Sequence, residues 1–235
     1  VVTLLETKKK AAIRADAIYA RVAIDDPRLT YTVPPRVTAA TGVDVLCHAL
    51  EGFLSTQRQA ITDVAAPRAI ALVLRWLPEA VANGDNAEAR EQMLLANVLA
   101  GYALSQSGAT ALHGLEHPVS AHHPEVPHGE GLAAMLPGYL RAMIKFAPER
   151  LAELAEALRL PTDGPAAKVA GRVLSAAEKL LEQVGLQLTL RELGVEDDEL
   201  GAIVEGAQDY MAGALAKTPG GALADTLMEI LEQSL

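Results

Sequence analysis

Apolar residues recur at helical spacing from about residue 34 to the C-terminus, and this periodicity predicts an all-α helical bundle. Glycine, proline and asparagine punctuate the pattern and mark the turns between helices. The predicted helices cover approximately residues 43–54, 63–76, 87–106, 131–146, 148–159, 165–184, 197–212 and 222–234. The segment 118–130 contains Pro118, Pro124 and Pro127, so it is predicted to be a loop.

Two prolines and one apolar segment refine this pattern. Pro78 is expected to interrupt or end the second helix, and Pro118 is expected to end the helix that carries His113. The helix over 87–106 is apolar on nearly all sides, which predicts a central position in the bundle.

Only the beginning of the chain has β character. Residues 1–5 and 21–24 are short and rich in β-branched side chains, which is typical of strands. Few candidate partner strands follow them. We therefore divide the chain into a short β-containing entry segment over residues 1–33 and a helical domain over residues 34–235.

Composition argues against several classes of function. The net charge of −10 and the scattered basic residues disfavour a nucleic-acid partner, which would need a basic face. No uncharged apolar run reaches the roughly 18 residues that a membrane span needs, so no membrane segment is expected. Cys47 is the only cysteine, which rules out an intramolecular disulfide and fits a reducing cytoplasm, the location that we expect.

The histidines are concentrated in one part of the chain. All six lie between positions 48 and 128, and histidine is the commonest metal ligand in proteins. Asp44 and His48 are four residues apart on a predicted helix, so their side chains share one face and a metal ion could lie between them. Apolar neighbours flank Asp44, and a buried carboxylate is costly unless it is paired or binds a metal. A surface Asp–His pair is the alternative interpretation.

Three further histidines extend the pattern. His113 and His117 repeat the four-residue spacing, and His128 follows in a proline-rich segment. Each of these taken alone is more commonly a structural histidine. Combined with the Asp–His pair, His113 and His128 would complete a set of three nitrogens and one carboxylate, which suits Fe²⁺ or Zn²⁺ better than Ca²⁺ or Mg²⁺.

Several of these segments resemble the metal-binding half of the iron-containing (group III) alcohol dehydrogenases. The resemblance is carried mainly by residues 38–51 (TAATGVDVLCHALE), by His113-x3-His117-Pro118 and by Pro127-His128-Gly129. Shorter matches cover residues 24–30, 33–35, 136–137 and 190–195. For the helical domain, the resemblance implies an all-α bundle of the dehydroquinate synthase type.

The resemblance also implies roles for individual residues. The expected ligands of one divalent ion, Fe²⁺ or Zn²⁺, are Asp44, His48, His113 and His128. His117 matches a histidine near the nicotinamide that relays a proton, so it is the expected catalytic residue and not a ligand. The expected contacts of the cofactor NAD(P) are Lys10, Leu29, Thr30 and His117.

The implied activity is the NAD(P)-dependent interconversion of an alcohol and its aldehyde or ketone. The sequence departs from the family in the interval from His113 to His128, which is about one residue longer than usual, and in lacking the nucleotide-binding domain with its glycine-rich phosphate turn. We therefore interpret residues 1–33 as a remnant of that domain and expect a parent with about 100–200 further residues before Val1 to be the working enzyme. The chain alone is expected to bind metal, to bind NAD(P)H weakly and to turn over little or nothing.

Two other functions stay open at this point. One is a metal-independent enzyme similar to the maleylacetate reductases, and the other is a metal-binding helical module without redox activity. The expected small-molecule partner is an alcohol or aldehyde, and a homodimer is a further possibility. Glu116 and Glu130 could be partners of the histidines or solvated surface carboxylates, whereas His122 and His123 are expected to have no chemical role.

Overall fold

Helices form most of the structure, a computed structural model that describes residues 1–13 and 15–235. The helices of these residues are α1 (Pro35–Leu54), α2 (Thr62–Ala82), α3 (Ala87–Ser107), α4 (Ala111–His122), α5 (His128–Phe146), α6 (Pro148–Ala157), α7 (Ala166–Gln183), α8 (Leu200–Tyr210), α9 (Ala212–Leu215) and α10 (Ala224–Glu232). Two short strands, β1 (Val2–Leu4) and β2 (Lys9–Ala11), precede them. This architecture confirms the predicted all-α fold class.

Most predicted helices are present, with their ends shifted by a few residues. α1 is extended most, because it begins at Pro35, where two consecutive prolines can start a helix, and continues without a break through the helix predicted from residue 43. Proline is tolerated in the first turn of a helix, where its nitrogen needs no partner within the helix. The predicted helix over 197–212 is divided between a short 3-10 turn (Asp197–Glu199), α8 and α9.

Two prolines do not end their helices. α2 continues past Pro78, and α4 continues past Pro118, so both expectations about these helix ends are wrong. Leu77 and Val119, which adjoin the prolines, are fully buried. Packing of such neighbours offsets the backbone hydrogen bond that each proline removes. The loop between α4 and α5 is consequently confined to residues 123–127.

α3 is not the central helix that its composition predicts. Its buried side consists largely of alanines, whereas the larger Leu95, Val98 and Tyr102 are 41%, 44% and 44% exposed. The small alanines allow α3 to pack closely against α1 and α2. Leu95, Val98 and Tyr102 consequently lie on its outer face, whereas Met93 and Leu99 are partly buried against the core.

α1 occupies the core instead. It packs against α2, α3 and α5, and most of its side chains are buried. At Gly42, a Cβ atom would lie 2.2 Å from Cδ1 of Leu77, so any larger residue there would displace the α2 side chain. By length and composition α1 could cross a membrane, but 78% of its most apolar window is buried inside the structure, as expected for a core helix.

The first residues form an antiparallel hairpin that packs on the helical body. Strand β1 pairs with β2, with Thr3 opposite Lys10. Strand β2 contacts α4 and α8, which places Lys10 beside the helix that carries His113 and His117. An isolated two-stranded hairpin is marginally stable at best, so the position of this hairpin depends on its contacts with those helices.

The prediction of a second strand over residues 21–24 is wrong. These residues form no strand, and Val22 and Ile24 are 78% and 86% exposed. Their β-branched side chains have no partner strand among the described residues, so local propensity alone does not organise them. The segment leads through a 3-10 turn (Pro27–Thr30) to the start of α1.

Candidate metal centre

Three helices bring the predicted ligands together. α1 presents Asp44 and His48 one turn apart, α4 presents His113, and α5 begins at His128. The four-residue spacing on α1 places both of its side chains on one face, as expected for helical neighbours. The remaining two ligands approach that face only because α4 and α5 pack together and α5 packs on α1.

The distances suit a single metal ion. Oδ1 of Asp44 lies 3.3 Å from Nε2 of His48, 3.3 Å from Nε2 of His113 and 3.9 Å from Nε2 of His128. A tetrahedral ion with bonds of about 2.0–2.2 Å holds its ligand atoms about 3.3–3.6 Å apart. Three imidazole nitrogens around one carboxylate oxygen therefore fit Fe²⁺ or Zn²⁺, although the assignment of the ligands stays a prediction.

The cluster is open on one side. The side chains of Asp44, His48 and His128 are 25%, 24% and 28% exposed, whereas that of His113 is only 5% exposed. A cavity of about 360 Å³ adjoins Asp44 and His48, and the apolar side chains of Val45, Met93 and Leu94 form part of its wall. A small organic molecule could therefore reach the cluster from this side. A larger cavity, of about 490 Å³, lies elsewhere and has no histidine in its wall.

Buried carboxylates set the charge of the cluster. Burial opposes the protonation of His113, but the charge of Glu51, followed by the hydrogen bond with Asp44, raises its pKa to about 10. Burial would likewise raise the pKa of Asp44, yet the hydrogen bond from His113 and the charges of the surrounding imidazoles lower it to about 2. The negative field that retains a proton on His113 also favours a divalent cation at this position.

Two of the histidines are neutral near pH 7. Burial lowers the pKa of His48 to about 4, and it lowers the pKa of His117 to about 4, despite the opposing charges of Asp44 and Glu116 respectively. A neutral imidazole has a nitrogen lone pair that is available to a metal or to a proton.

Glu51 was not predicted from the sequence. Its fully buried carboxylate accepts hydrogen bonds from the backbone N–H and the hydroxyl of Thr110, both at 2.8 Å, and contacts Nδ1 of His113. This contact directs the other ring nitrogen, Nε2, towards Asp44. Glu51 follows Asp44 by seven residues, about two helical turns, so the spacing places it on the same face of α1. That spacing is the signal that could have identified it.

Glu116 and Glu130 are both buried, so the interpretation that they are solvated surface carboxylates is wrong. Glu116 contacts Nδ1 of His128 and is therefore a partner of a histidine. Glu130 instead accepts two hydrogen bonds, at 2.6 and 2.7 Å, from the guanidinium of Arg36. The two carboxylates thus have different roles despite their similar burial.

His117 lies beside the cluster and does not contact Asp44 in the way that the predicted ligands do. Its ring centroid is 5.7 Å from that of His128 and 6.2 Å from that of His113. Nδ1 of His117 is 3.0 Å from the carbonyl oxygen of Lys10, so this nitrogen carries the proton and donates to the carbonyl. Nε2 is then left as the basic nitrogen.

The predicted cofactor contacts have different environments. The ammonium of Lys10 points into the histidine cluster, 3.2 Å from Oε2 of Glu116. Leu29 is 77% exposed, and Thr30 lies in the wall of the cavity beside Asp44. The role of these residues in NAD(P) binding stays a prediction.

His122 and His123 lie at the end of α4, outside the predicted ligand set. Nε2 of His123 is 3.1 Å from a carboxylate oxygen of Glu199. This ion-pair contact is consistent with a structural histidine, and the expectation of no chemical role stays a prediction for both.

Comparison with known proteins agrees with this arrangement. The C-terminal sequence profile of the Fe-containing alcohol dehydrogenase family matches residues 38–235. The 1,3-propanediol dehydrogenase of Citrobacter freundii is 36% identical over 88% of this chain and 54% of its own length. A long-chain primary alcohol dehydrogenase, AdhA, of Thermoanaerobacter ethanolicus is 32% identical over the whole chain and 59% of its own length.

Solved structures give the same result. An archaeal halo-thermophilic alcohol dehydrogenase from a Red Sea brine pool superposes with a TM-score of 0.94 at 32% identity, covering 100% of this chain and 60% of that one. A sulfoacetaldehyde reductase from Bifidobacterium kashiwanohense, solved in complex with NAD⁺, superposes with a TM-score of 0.86 at 33% identity, covering 99% of this chain and 59% of that one. The chain belongs to the iron-containing alcohol dehydrogenase family and spans between half and two thirds of the length of these relatives.

Proposed function

We propose that this chain forms the metal-binding part of an NAD(P)-dependent oxidoreductase that interconverts an alcohol and its aldehyde or ketone. The observation that carries the proposal is the position of Asp44 Oδ1, which lies within 3.9 Å of three imidazole nitrogens beside an open cavity. Family membership and the names of the relatives, several of which are alcohol dehydrogenases, support it.

In this proposal the predicted ligands Asp44, His48, His113 and His128 would hold Fe²⁺ or Zn²⁺. The bound ion supplies Lewis-acid chemistry towards the oxygen of the substrate. Glu51 keeps His113 in the tautomer whose Nε2 faces Asp44, since its carboxylate accepts the proton of Nδ1. The apolar side chains of Val45, Met93 and Leu94 line the cavity beside Asp44 and His48, where the carbon chain of the alcohol is proposed to lie.

His117 takes the role of proton carrier. Its Nδ1–H donates to the carbonyl of Lys10, which fixes the ring and leaves Nε2 as the acceptor. Burial lowers the pKa of His117 to about 4, so the ring is neutral near pH 7 and would hold the proton of an alcohol only in transit towards solvent.

The cofactor is assigned to the face that carries the N-terminal residues. Lys10, Leu29 and Thr30, together with His117, are proposed to contact the nicotinamide side of NAD(P). One structural relative was solved with NAD⁺, which favours a nicotinamide cofactor without deciding between NAD and NADP. A homodimer and a cytoplasmic location stay predictions.

Metal binding is the first test. Metal-free protein is dialysed anaerobically against Fe²⁺ or Zn²⁺, and the bound metal is measured by elemental analysis. We expect one ion per chain in the wild type and in the His122→Ala control, but loss of most of the metal in His48→Ala. Full occupancy in His48→Ala would contradict the assignment of the ligands.

Redox activity is the second test. Reduction of NAD⁺ and NADP⁺ by primary alcohols is measured with the complete gene product, with and without metal. Activity only in the metal-loaded protein is expected. Activity in the metal-free protein would favour the maleylacetate reductase-like alternative, and bound metal without activity would favour the helical module. Calorimetric titration of the 235-residue chain with NADH tests the expectation that it binds the cofactor weakly alone.

A further inference from the structure

Glu116 is a buried carboxylate that is not one of the predicted metal ligands. It belongs to α4, its side chain is 0% exposed, and it contacts Nδ1 of His128 and the hydroxyl of Ser120. The ammonium of Lys10 lies 3.2 Å from its Oε2 and 2.9 Å from the same hydroxyl. All of these partners can donate a hydrogen bond to the carboxylate.

The orientation of His128 determines which of these groups donates a hydrogen bond and which accepts it. When Nε2 of His128 faces Asp44, the ring proton lies on Nδ1 and is donated to Glu116. In this tautomer the ammonium of Lys10, 3.0 Å from Nδ1, donates its hydrogen bonds to Glu116 and Ser120, because a protonated Nδ1 cannot accept one. A carboxylate that accepts the second N–H of a ligating histidine fixes its tautomer and orientation and increases its basicity.

Charge balance supports the same arrangement. The three carboxylates around the cluster, Asp44, Glu51 and Glu116, carry three negative charges. A divalent ion and the ammonium of Lys10 together carry three positive charges. A buried charge that loses its partner is strongly destabilising, so Lys10 and Glu116 should act as a neutral pair beside the ion.

Lys10 is linked to both histidines at this edge of the site. Its carbonyl oxygen accepts the Nδ1–H of His117 at 3.0 Å, and its ammonium reaches the carboxylate that holds His128. One residue of strand β2 therefore contributes to the orientation of two rings. If Lys10 served only to attach the hairpin to α4, one of these contacts would be sufficient.

We propose that Glu116 is a positioning residue for His128 and that Lys10 is its counter-ion, so that the N-terminal hairpin completes the surroundings of the metal centre. The proposal rests on the proposed function, because it takes His128 as a ligand. It predicts that Glu116 controls the affinity and geometry of the bound ion, whereas the charge of Lys10 matters only in relation to Glu116.

The test uses Co²⁺ as the probe, because its visible absorption reports the geometry of its ligands. Co²⁺ affinity is measured by competition with a chelator for the wild type, Glu116→Ala, Glu116→Gln and the double variant Lys10→Met/Glu116→Ala. Glu205→Ala, which removes an exposed carboxylate from α8, is the matched control. Far-UV circular dichroism checks that each variant is folded.

We expect Glu116→Ala to bind Co²⁺ about 10- to 100-fold more weakly and to change the visible spectrum. Glu116→Gln should retain the wild-type spectrum with a smaller loss, because its amide oxygen still accepts the Nδ1 proton. The double variant should bind more tightly than Glu116→Ala, since it removes the unpaired ammonium as well. The control should match the wild type.

Wild-type affinity and spectrum in Glu116→Ala would overturn this proposal alone, and Lys10–Glu116 would then be only a tether. If the wild type itself failed to bind Co²⁺, the proposed metal site would be wrong and this inference would fall with it. If Glu116→Ala did not fold, Glu116→Gln in the Zn²⁺-loaded form would decide by ¹H–¹⁵N spectra of the imidazoles. The proposal requires the Nδ1–H tautomer of His128 in that variant and in the wild type, and the other tautomer in either would overturn it.

Discussion

The two sides of the histidine cluster are built differently. One side, the core half, consists of Asp44, His48, His113 and Glu51, and the other, the hairpin half, consists of His117, His128, Glu116 and Lys10. The core half belongs entirely to α1 and α4, and its carboxylate Glu51 is also held by Thr110. The hairpin half needs a residue from strand β2 as well.

In each half a carboxylate orients an imidazole, but the charge of that carboxylate is balanced in a different way. In the core half, the Glu51 carboxylate contacts His113 and Thr110, and although burial opposes this, the charge of His113 lowers its pKa. In the hairpin half, Glu116 has its own cation in Lys10. The stability of the metal-free protein should therefore depend strongly on His113 and less on His128. Metal binding in the hairpin half should also respond to movement of the hairpin or of α5.

The largest effect is expected from replacing the histidine of each half. Both His113→Ala and His128→Ala should lose most of the bound metal. In the metal-free protein, His113→Ala should lower the free energy of unfolding by about 3–5 kcal/mol, because the charge of Glu51 is left buried without its partner. His128→Ala should cost clearly less, since Lys10 still neutralises Glu116. Urea unfolding of both variants measures this difference, and equal losses would remove the distinction between the halves.

A large effect on turnover is expected from His117. His117→Asn should leave the metal content unchanged, because Nδ1 of His117 is bonded to the carbonyl of Lys10 and the ring is not in the predicted ligand set. The rate of alcohol oxidation by the complete gene product should fall by about 100-fold if the ring transfers the proton. Elemental analysis and steady-state kinetics of the same preparation are the measurements. Loss of metal in this variant would show that His117 is a ligand. The distinction between the core half and the hairpin half would then no longer hold.

Gly129 tests how closely the hairpin half depends on the approach of α5 to α1. A Cβ atom at this position would lie 2.0 Å from the carbonyl oxygen of Ala40, which is backbone and cannot rotate away. Gly129→Ala should therefore move the start of α5, displace His128 and destabilise the protein by about 1–3 kcal/mol. Thermal unfolding and Zn²⁺ affinity measure the two consequences.

Gly171 provides the matched control. A Cβ atom there has no neighbour within 4 Å, and the residue lies inside α7. Gly171→Ala should raise stability by about 0.5–1 kcal/mol, because alanine loses less backbone entropy in a helix, and it should leave Zn²⁺ affinity unchanged. Equal effects of the two substitutions would argue against a close contact at Gly129.

The smallest effect is expected from the exposed ion pair of the hairpin. Lys9 and Asp209 are 2.5 Å apart, but their side chains are 46% and 61% exposed. Lys9→Ala should change stability by less than about 1 kcal/mol and leave Co²⁺ affinity unchanged, because solvent and salt screen such pairs. A change in metal affinity as large as that of Glu116→Ala would show that general anchoring of the hairpin, and not the buried pair, controls the site.

Local spacing explains why part of the site was predictable. The four-residue interval between Asp44 and His48 implies a shared helix face whatever the helix packs against. The same argument applies to His113 and His117, which are on α4 as their spacing indicates. The helical periodicity after residue 34 predicted the fold class for the same reason, since amphipathic helices need a common core.

Tertiary packing decided the rest. The sequence did not identify Glu51 as the carboxylate behind His113, and it left Glu116 open between a partner of a histidine and a surface carboxylate. Packing decided both, because these contacts join α1 to α4 and α4 to α5. The composition of α3 predicted a central helix, but its place in the bundle turns the alanines towards the core and leaves Leu95 and Val98 facing outward. Sequence periodicity determined which residues share a helix face, because that geometry is local. Only the packing of separate elements determined which carboxylate holds which ring, and how Lys10 of the first strand reaches the centre, because these contacts join residues far apart in the chain.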